Sequence, residues 1–175
     1  MQIRQVTKNS QYWHAFIEHI KNVSDIIWYV DESGDLIENL HCLIAVVDDM
    51  LVGHISFRVQ PITVPSIGWS EDDSFPLTSI NKDVLRETFV NYFEVKKEFR
   101  RQGIGTALQK EGLRLTGELG CIQMRSWSSL SKEADNGANY ALKLKLGFAV
   151  HPVTSQAMNG TVTRGVYFSK STFNE

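Results

Sequence analysis

The chain has 175 residues, 42% hydrophobic and 22% charged, the make-up of a folded domain rather than a disordered, collagen-like or coiled-coil chain. Its 18 basic and 20 acidic residues leave a net charge of −2, without the basic excess of a general nucleic-acid binder. Two cysteines, Cys42 and Cys121, are too few for a disulfide framework and read as small buried hydrophobes.

The opening Met-Gln-Ile-Arg-Gln-Val has no signal-peptide pattern, and no apolar run approaches the roughly 20 residues that span a bilayer. The expected setting is reduced and cytoplasmic, with neither nucleic acid nor membrane as partner. The length suits one domain over residues 1–175.

Ile3 and Val6 predict a short opening strand. Trp13, Phe16, Ile17 and Ile20 fall at helical spacing and predict a helix over Ser10–Ile20, with Ser10 as N-cap. After the polar turn at 31–35, the apolar Cys42–Val47, the pair Asp48-Asp49 and the β-branched, aromatic Leu51–Val59 predict an antiparallel hairpin. Gln60–Asp83 holds Pro61, Pro65 and Pro76 and the acidic run Glu71-Asp72-Asp73. It reads as a long loop with at most a short helix. The acidic run is a solvated face or a field that draws a cationic amine; Trp69 and Phe75 close a pocket or anchor the loop.

Glu87–Val95 predicts a strand and Ile104–Leu119 a helix, with Ile104, Ala107, Leu108, Leu115 and Leu119 on one face and Gly120 as the stop. Ile122–Trp127 predicts a strand. Asp135–Leu146 predicts a second helix with Ala138, Ala141, Leu142 and Leu146 on its apolar face. Phe148–Val150 and Val166–Phe168 complete the series as short strands. This order predicts one α/β (α+β) domain, a mixed sheet flanked by helices.

The chemistry concentrates between a strand and a helix, in Arg100-Arg101-Gln102-Gly103-Ile104-Gly105. Glycines there permit a tight turn and close approach of a ligand. The first amides of the helix lack intrahelical partners and carry the positive end of its dipole, which suits a phosphate. Lys96, Lys97, Arg100 and Arg101 add four cations within six residues. Position 108 is Leu, which excludes the G-x-G-x-x-G dinucleotide fingerprint, and no Lys-Ser/Thr follows at P-loop spacing. His14, His19, His41, His54 and His151 form no H-x-x-x-H or Cys/His cluster, so no metal is expected.

Arg100-x-x-Gly103-x-Gly105 resembles the Arg/Gln-x-x-Gly-x-Gly/Ala signature of the GNAT superfamily of N-acetyltransferases. About 30 residues on, Asn136-x-x-Asn139-x-x-Leu142-x-x-Lys145-x-Gly147-Phe148 is similar to that superfamily's penultimate helix, which usually ends Tyr-x-Lys-x-Gly-Phe. The resemblance covers most of the chain and is strongest over Phe89–Val150. It implies a GNAT-like fold with a mostly antiparallel sheet whose central strands splay to admit acetyl-CoA. It also implies direct transfer of the acetyl group to a primary amine of a small molecule or a protein. Backbone amides from Gln102 to Thr106, through Gly103, Ile104 and Gly105, would hold the pyrophosphate beside Arg100 and Arg101. The strand at Phe93 and Val95 would pair with the pantetheine. Relatives often form homodimers through late strands, here Val166–Phe168.

Asn136, Asn139, Tyr140 and Lys143 share one polar helix face by their i, i+3, i+4, i+7 spacing. Lys143 stands where many relatives carry a Tyr acid. Tyr140, one turn earlier, is therefore the candidate acid, with Asn136, Asn139 and Lys143 assigned to the donor. Lys143 would stabilise the leaving thiolate or meet a CoA phosphate. Glu94 is the preferred general base over Glu87. Seven positions apart, the two point to opposite faces of a regular strand unless a bulge intervenes. The displaced Tyr also leaves open a non-catalytic acetyl-CoA sensor.

Overall fold

The computed structural model describes residues 1–64, 75–129, 137–156 and 162–173. The elements are β1 (Gln2–Gln5), α1 (Trp13–Val23), β2 (Leu40–Val47), β3 (Met50–Pro61), β4 (Thr63–Val64), β5 (Phe75–Pro76), β6 (Arg86–Val95), α2 (Ile104–Glu118), β7 (Gln123–Ser129), α3 (Gly137–Lys145), β8 (Ala149–Gln156) and β9 (Val162–Ser171). Seven strands form one sheet in the order β1-β2-β3-β6-β7-β9-β8. Within it only β6 and β7 run parallel. That is the mixed, mostly antiparallel sheet the sequence predicts. No helix among the described residues is long and apolar enough to cross a membrane.

The sheet carries a core on each face, which explains why β2 is a continuous apolar run and not an alternating one. Cys42, Ile44 and Val46 pack with Trp13, Phe16 and Ile20 of α1. Leu43 and Ala45 pack with Ile55, Phe57 and Val90 of the neighbouring strands, and with Leu108 and Leu115 of α2. The β2–β3 turn is tight because Asp48 and Asp49 both adopt positive φ, 47° and 59°, as a twist-matched two-residue hairpin requires.

Four expectations need correction. Helix α1 begins three residues late, its N-cap is Tyr12 without a side-chain cap, and the Ser10 carbonyl instead accepts from the Trp13 N–H in the turn before the helix. Part of the predicted 60–83 loop is strand: β3 continues to Pro61, and β4 pairs with β5. Phe75 in β5 is 54% exposed and, among the described residues, belongs to neither core; Trp69 and the acidic run at 71–73 lie outside the described residues. On α3, Ala138 and Ala141 are exposed, while Lys143 is buried and Asn139, Tyr140, Leu142 and Leu146 are partly buried. Two alanines offer little apolar area, so the larger aromatic and aliphatic stems decide which face turns inward.

The fourth concerns the last strands, which form a hairpin much longer than predicted. Val166 and Phe168 are buried in β9, which lies between β7 and β8. Within this chain both edges of β9 are taken by its neighbours, and among the described residues the outer strands of the sheet are β1 and β8.

Candidate active site

The parallel pair β6–β7 is short. Its register runs from Glu87 opposite Gln123 to Val90 opposite Ser126 and stops there. Beyond that point β6 continues to Val95 held only by β3, and β7 continues to Ser129 held only by β9. The sheet is therefore parted between residues 91–95 and 127–129, the splay that the GNAT resemblance implies. The parting coincides with a β-bulge. Val90 faces Phe57 and Tyr92 faces Ser56, which leaves Asn91 as the extra residue. A bulge sharpens the local twist and swings the strand away from its neighbour.

The glycine turn lies at the end of β6. Gly103 caps α2 with φ 84°, a left-handed conformation that glycine adopts without strain. The first α2 bond runs from the Ala107 N–H to the Gly103 carbonyl at 3.0 Å, so the amides of Ile104, Gly105 and Thr106 remain open to a ligand. Lys97, Arg100 and Arg101 are exposed around them. Arg100 also holds the turn in place: its Nε donates to the Val95 carbonyl at 2.9 Å and pins the turn to the strand. The Gln102 amide likewise donates to the Glu98 carbonyl at 3.3 Å. Phe93 and Val95 lie under the start of α2, where a Cβ on Gly105 would stand 3.1 Å from the Phe93 ring and 3.3 Å from Leu142.

Helix α3 turns its sequence-predicted polar face onto the far wall of the parting. The Tyr140 hydroxyl donates to the Ser128 carbonyl at 3.4 Å, and its ring packs edge-on against Phe168 at 5.0 Å. Desolvation raises its pKa, which keeps the phenol protonated. Asn139 reaches the Ser128 hydroxyl at 3.4 Å, with its own Oδ1 buried and unpartnered. Lys143 is 1% exposed. Its ammonium donates to the Ser126 hydroxyl and sits over the rings of Phe148 and Phe168, at 4.8 and 5.7 Å. Burial lowers its pKa to about 7. So deep a group does not serve a surface phosphate, but it is placed beside Ser126, the last paired residue before the strands part. Asn136 lies outside the described residues.

The two glutamates of β6 sit on the same face, because the bulge at Asn91 inverts the parity between them. Glu87 is fully buried and saturated, bonded by Arg125, by Gln60 at 3.0 Å and by Gln123 at 2.8 Å. Arg125 is itself held between the rings of Phe89 and Tyr167, 5.2 and 4.8 Å from their centroids. Glu94 differs: its Oε2 is buried without a hydrogen-bond partner and lies 4.0 Å from His19 Nε2. His19, in turn, is 2.9 Å from His54 Nδ1. No sequence signal links these histidines, because 35 residues separate them along the chain and only α1 lying on β3 joins them.

Asn91 of the bulge lines two separate cavities. One, of about 230 Å³, is lined by Phe89, Val90, Asn91, Trp127 and Tyr167 at the mouth of the parting. The other, of about 290 Å³, is lined by Ser24, Trp28, Tyr29, Asn91 and Tyr92. The wall at Trp127 is tightly fixed, since a Cβ on Gly165 would overlap its ring.

A parallel pair that opens over free helix amides defines a class of fold that lets an extended, phosphate-bearing molecule into the middle of a sheet. Residues 9–148 match the acetyltransferase (GNAT) family, and the chain belongs to that family. No curated protein matches its sequence. Solved structures match along their whole length. An aminoglycoside 6'-N-acetyltransferase complexed with coenzyme A superposes with TM-score 0.64 at 16% identity, covering 100% of this chain and 99% of that one. Arabidopsis thaliana NAA60 in complex with acetyl-CoA gives 0.63 at 15%, covering 97% and 98%. The aminoglycoside 6'-N-acetyltransferase from Enterococcus faecium gives 0.60 at 16%, covering 100% and 99%. At such identities the likeness speaks for the fold.

Proposed function

We propose that this acetyltransferase moves the acetyl group of acetyl-CoA directly onto a primary amine in a ternary complex. The parting of β6 from β7 after Val90 and Ser126 carries the reading: it is a slot beside a strand paired on its other edge only, ending at a helix with free amides. In this reading the 102–106 turn holds the pyrophosphate, with Arg101 and Lys97 on its rim, and 93–95 offers backbone to the pantetheine. The acceptor amine enters from the face of α1, through the cavities that share Asn91. The reduced cytoplasm suits two free, buried thiols, Cys42 and Cys121.

The chemistry needs a base, a charge stabiliser and an acid. Glu94 is the base, because its buried Oε2 is the unsatisfied carboxylate atom on the acceptor face whereas Glu87 is consumed by Arg125. The acceptor nitrogen loses a proton toward Glu94 as it bonds to the acyl carbon. Backbone N–H groups of β6 past the bulge stabilise the oxyanion, and the C–S bond then breaks. Tyr140, on the opposite core from Glu94, protonates the departing sulfur, with the Lys143 amine one turn away. Base and acid thus approach the slot from its two faces, as attack and departure require.

Thermal unfolding with acetyl-CoA, CoA, ATP and NAD in parallel tests the donor. A ligand at 100 times its Kd stabilises by about 2.7 kcal/mol. Acetyl-CoA and CoA are expected to raise Tm, while ATP and NAD are not; a flat response to all four would remove the donor site. Thiol release over an amine panel tests turnover. Glu94→Gln and Tyr140→Phe are expected to lower kcat by roughly 10²-fold with little change in KM. Binding of acetyl-CoA without turnover of any amine would mean a sensor and not an enzyme.

A further inference from the structure

The cavity that reaches from Asn91 to Ser24, just past the end of α1, has a wall of aromatic rings. Three of its five lining residues are Trp28, Tyr29 and Tyr92, and the other two, Ser24 and Asn91, are neutral. No carboxylate is among these described lining residues. Asp25, which sits between them in sequence, commits its side chain to the Ile27 amide at 3.2 Å.

The two tyrosines are fixed before any ligand arrives. Tyr29 is buried, with its hydroxyl 3.4 Å from His54 Nε2. Tyr92 stacks on His54 at 5.2 Å with an interplanar angle of 6°, and its hydroxyl donates to the Val23 carbonyl at 3.3 Å. Trp28 differs. Its backbone is held in a 3-10 turn, Ile26–Trp28, which Asp25 caps and the Tyr29 N–H closes onto the Ile26 carbonyl at 2.9 Å. Its indole is nevertheless 59% exposed and belongs to neither core. The turn sends Tyr29 inward and leaves a large apolar ring at the rim of the cavity, the kind of exposed surface that marks a binding site.

One negative charge lies close by. Tyr92 and Glu94 are two residues apart on β6, which puts them on one face, about 6.7 Å apart along the strand. Their pairing opposite Ser56 and His54 is regular there. The Glu94 charge is felt at Tyr92: after burial, it is the second cause that raises the phenol above its usual pKa.

A ligand that matches this arrangement has one ammonium, for Glu94, and one flat apolar body, for the rings. A second ammonium, as in a polyamine or an amino sugar, would lose water with no carboxylate of the lining beside it, and a ring face offsets only part of that loss. The volume of about 290 Å³ lies at the small end of ligand pockets, which run from roughly 300 to 1,000 Å³, and suits one ring rather than several.

We propose that the acceptor is a small primary monoamine carrying an aromatic ring on a two- or three-carbon chain, and that Trp28 selects it by packing against that ring. This deepens the acetyltransferase reading and rests on it. The chain length follows from the strand spacing between Tyr92 and Glu94. The transfer forms one N–C bond, breaks the thioester C–S bond, and yields the N-acetyl amide, CoA thiol and one proton. Acetylation removes the amine's only charge, so the product loses its attraction to Glu94 and is free to leave.

The test measures thiol release from acetyl-CoA with 2-phenylethylamine, n-butylamine, spermidine, kanamycin and a peptide with a free N-terminus. It uses the wild-type chain, Trp28→Ala and Trp28→Phe, each checked for a wild-type melting transition. For the wild type, kcat/KM for 2-phenylethylamine is expected to exceed that for n-butylamine and for spermidine by about tenfold or more. Trp28→Ala is expected to bring the ratio between the two monoamines close to one, by raising KM for the ring-bearing amine, and Trp28→Phe to keep most of the preference. If Trp28→Ala slows both monoamines alike and leaves their ratio unchanged, Trp28 is structural and the assignment is wrong. A preference for spermidine, kanamycin or the peptide would overturn the substrate class while leaving the acetyltransferase standing. Binding of acetyl-CoA with no amine turned over would bring down the acetyltransferase reading itself, and this inference with it.

Discussion

Lys143 is the residue with the clearest thermodynamic signature. Its amine titrates near 10.4 in an unfolded chain but near 7 when buried against Ser126 and two aromatic rings. Between about pH 7 and pH 10 the unfolded chain therefore binds a proton that the folded chain does not, and stability rises with pH across that window. Below about pH 7 both states are protonated and the burial cost is felt in full. Lys143→Met removes that cost. It is expected to raise stability at pH 6–7 by on the order of a few kcal/mol, with the gain vanishing toward pH 10, as followed by denaturant unfolding at a series of pH values. If the amine also eases departure of the thiolate, kcat falls as stability rises, a division seen where a strained group is kept for function.

At the scale of elements, α3 and the α2 cap make opposite claims. The inward face of α3 is built from Asn139, Tyr140, Lys143 and Leu146, leaving Ala141 in solvent. Ala141→Lys is expected to change stability by no more than about 0.5 kcal/mol, whereas the apolar face read from the sequence would make it severe. The α2 cap has no such tolerance. A Cβ on Gly103 meets nothing within 4 Å, so space is not the obstacle; the φ of 84° is. Gly103→Ala is expected to cost about 1–2 kcal/mol and to weaken CoA binding measurably by calorimetry, because the same turn aims the free amides. An unchanged CoA affinity would separate the turn from the donor site.

For the molecule entire, the decisive feature is how charge is distributed. A net charge of −2 gives no general attraction for a polyanion, so the long-range electrostatic part of any hold on CoA would come from the patch at Lys97, Arg100 and Arg101, exposed beside the α2 terminus. Exposed charges are screened over about 10 Å at 0.1 M salt and 3 Å at 1 M. CoA affinity is expected to fall severalfold between these ionic strengths and to lose part of that dependence in Arg101→Gln, measured by titration at each salt. A salt-independent affinity would place the phosphates elsewhere. Within the sheet the same economy holds: one bulge at Asn91 stands where the central strands part, borders both cavities and brings Glu87 and Glu94 to one face.

Most of the elements and the glycine turn are legible in the chain alone, whereas the β4–β5 pair and the length of the β8–β9 hairpin are not. Periodicity marks the strands and helices, and Arg100-x-x-Gly103-x-Gly105 announces a tight strand-to-helix turn because backbone conformation there is a local property. The remainder depends on residues far apart along the chain, and folding alone brings it about. The bulge that settles the parity of Glu87 and Glu94 is a matter of register against β3, invisible in β6 by itself. The pairing of His19 with His54 exists because α1 lies across β3. The inward turn of Tyr140 and Lys143 follows from the rings of Phe148 and Phe168, which win over two alanines by sheer apolar area. Local rules set which groups are present; long-range packing sets which of them share low-dielectric space, as it does for Glu94, His19 and His54.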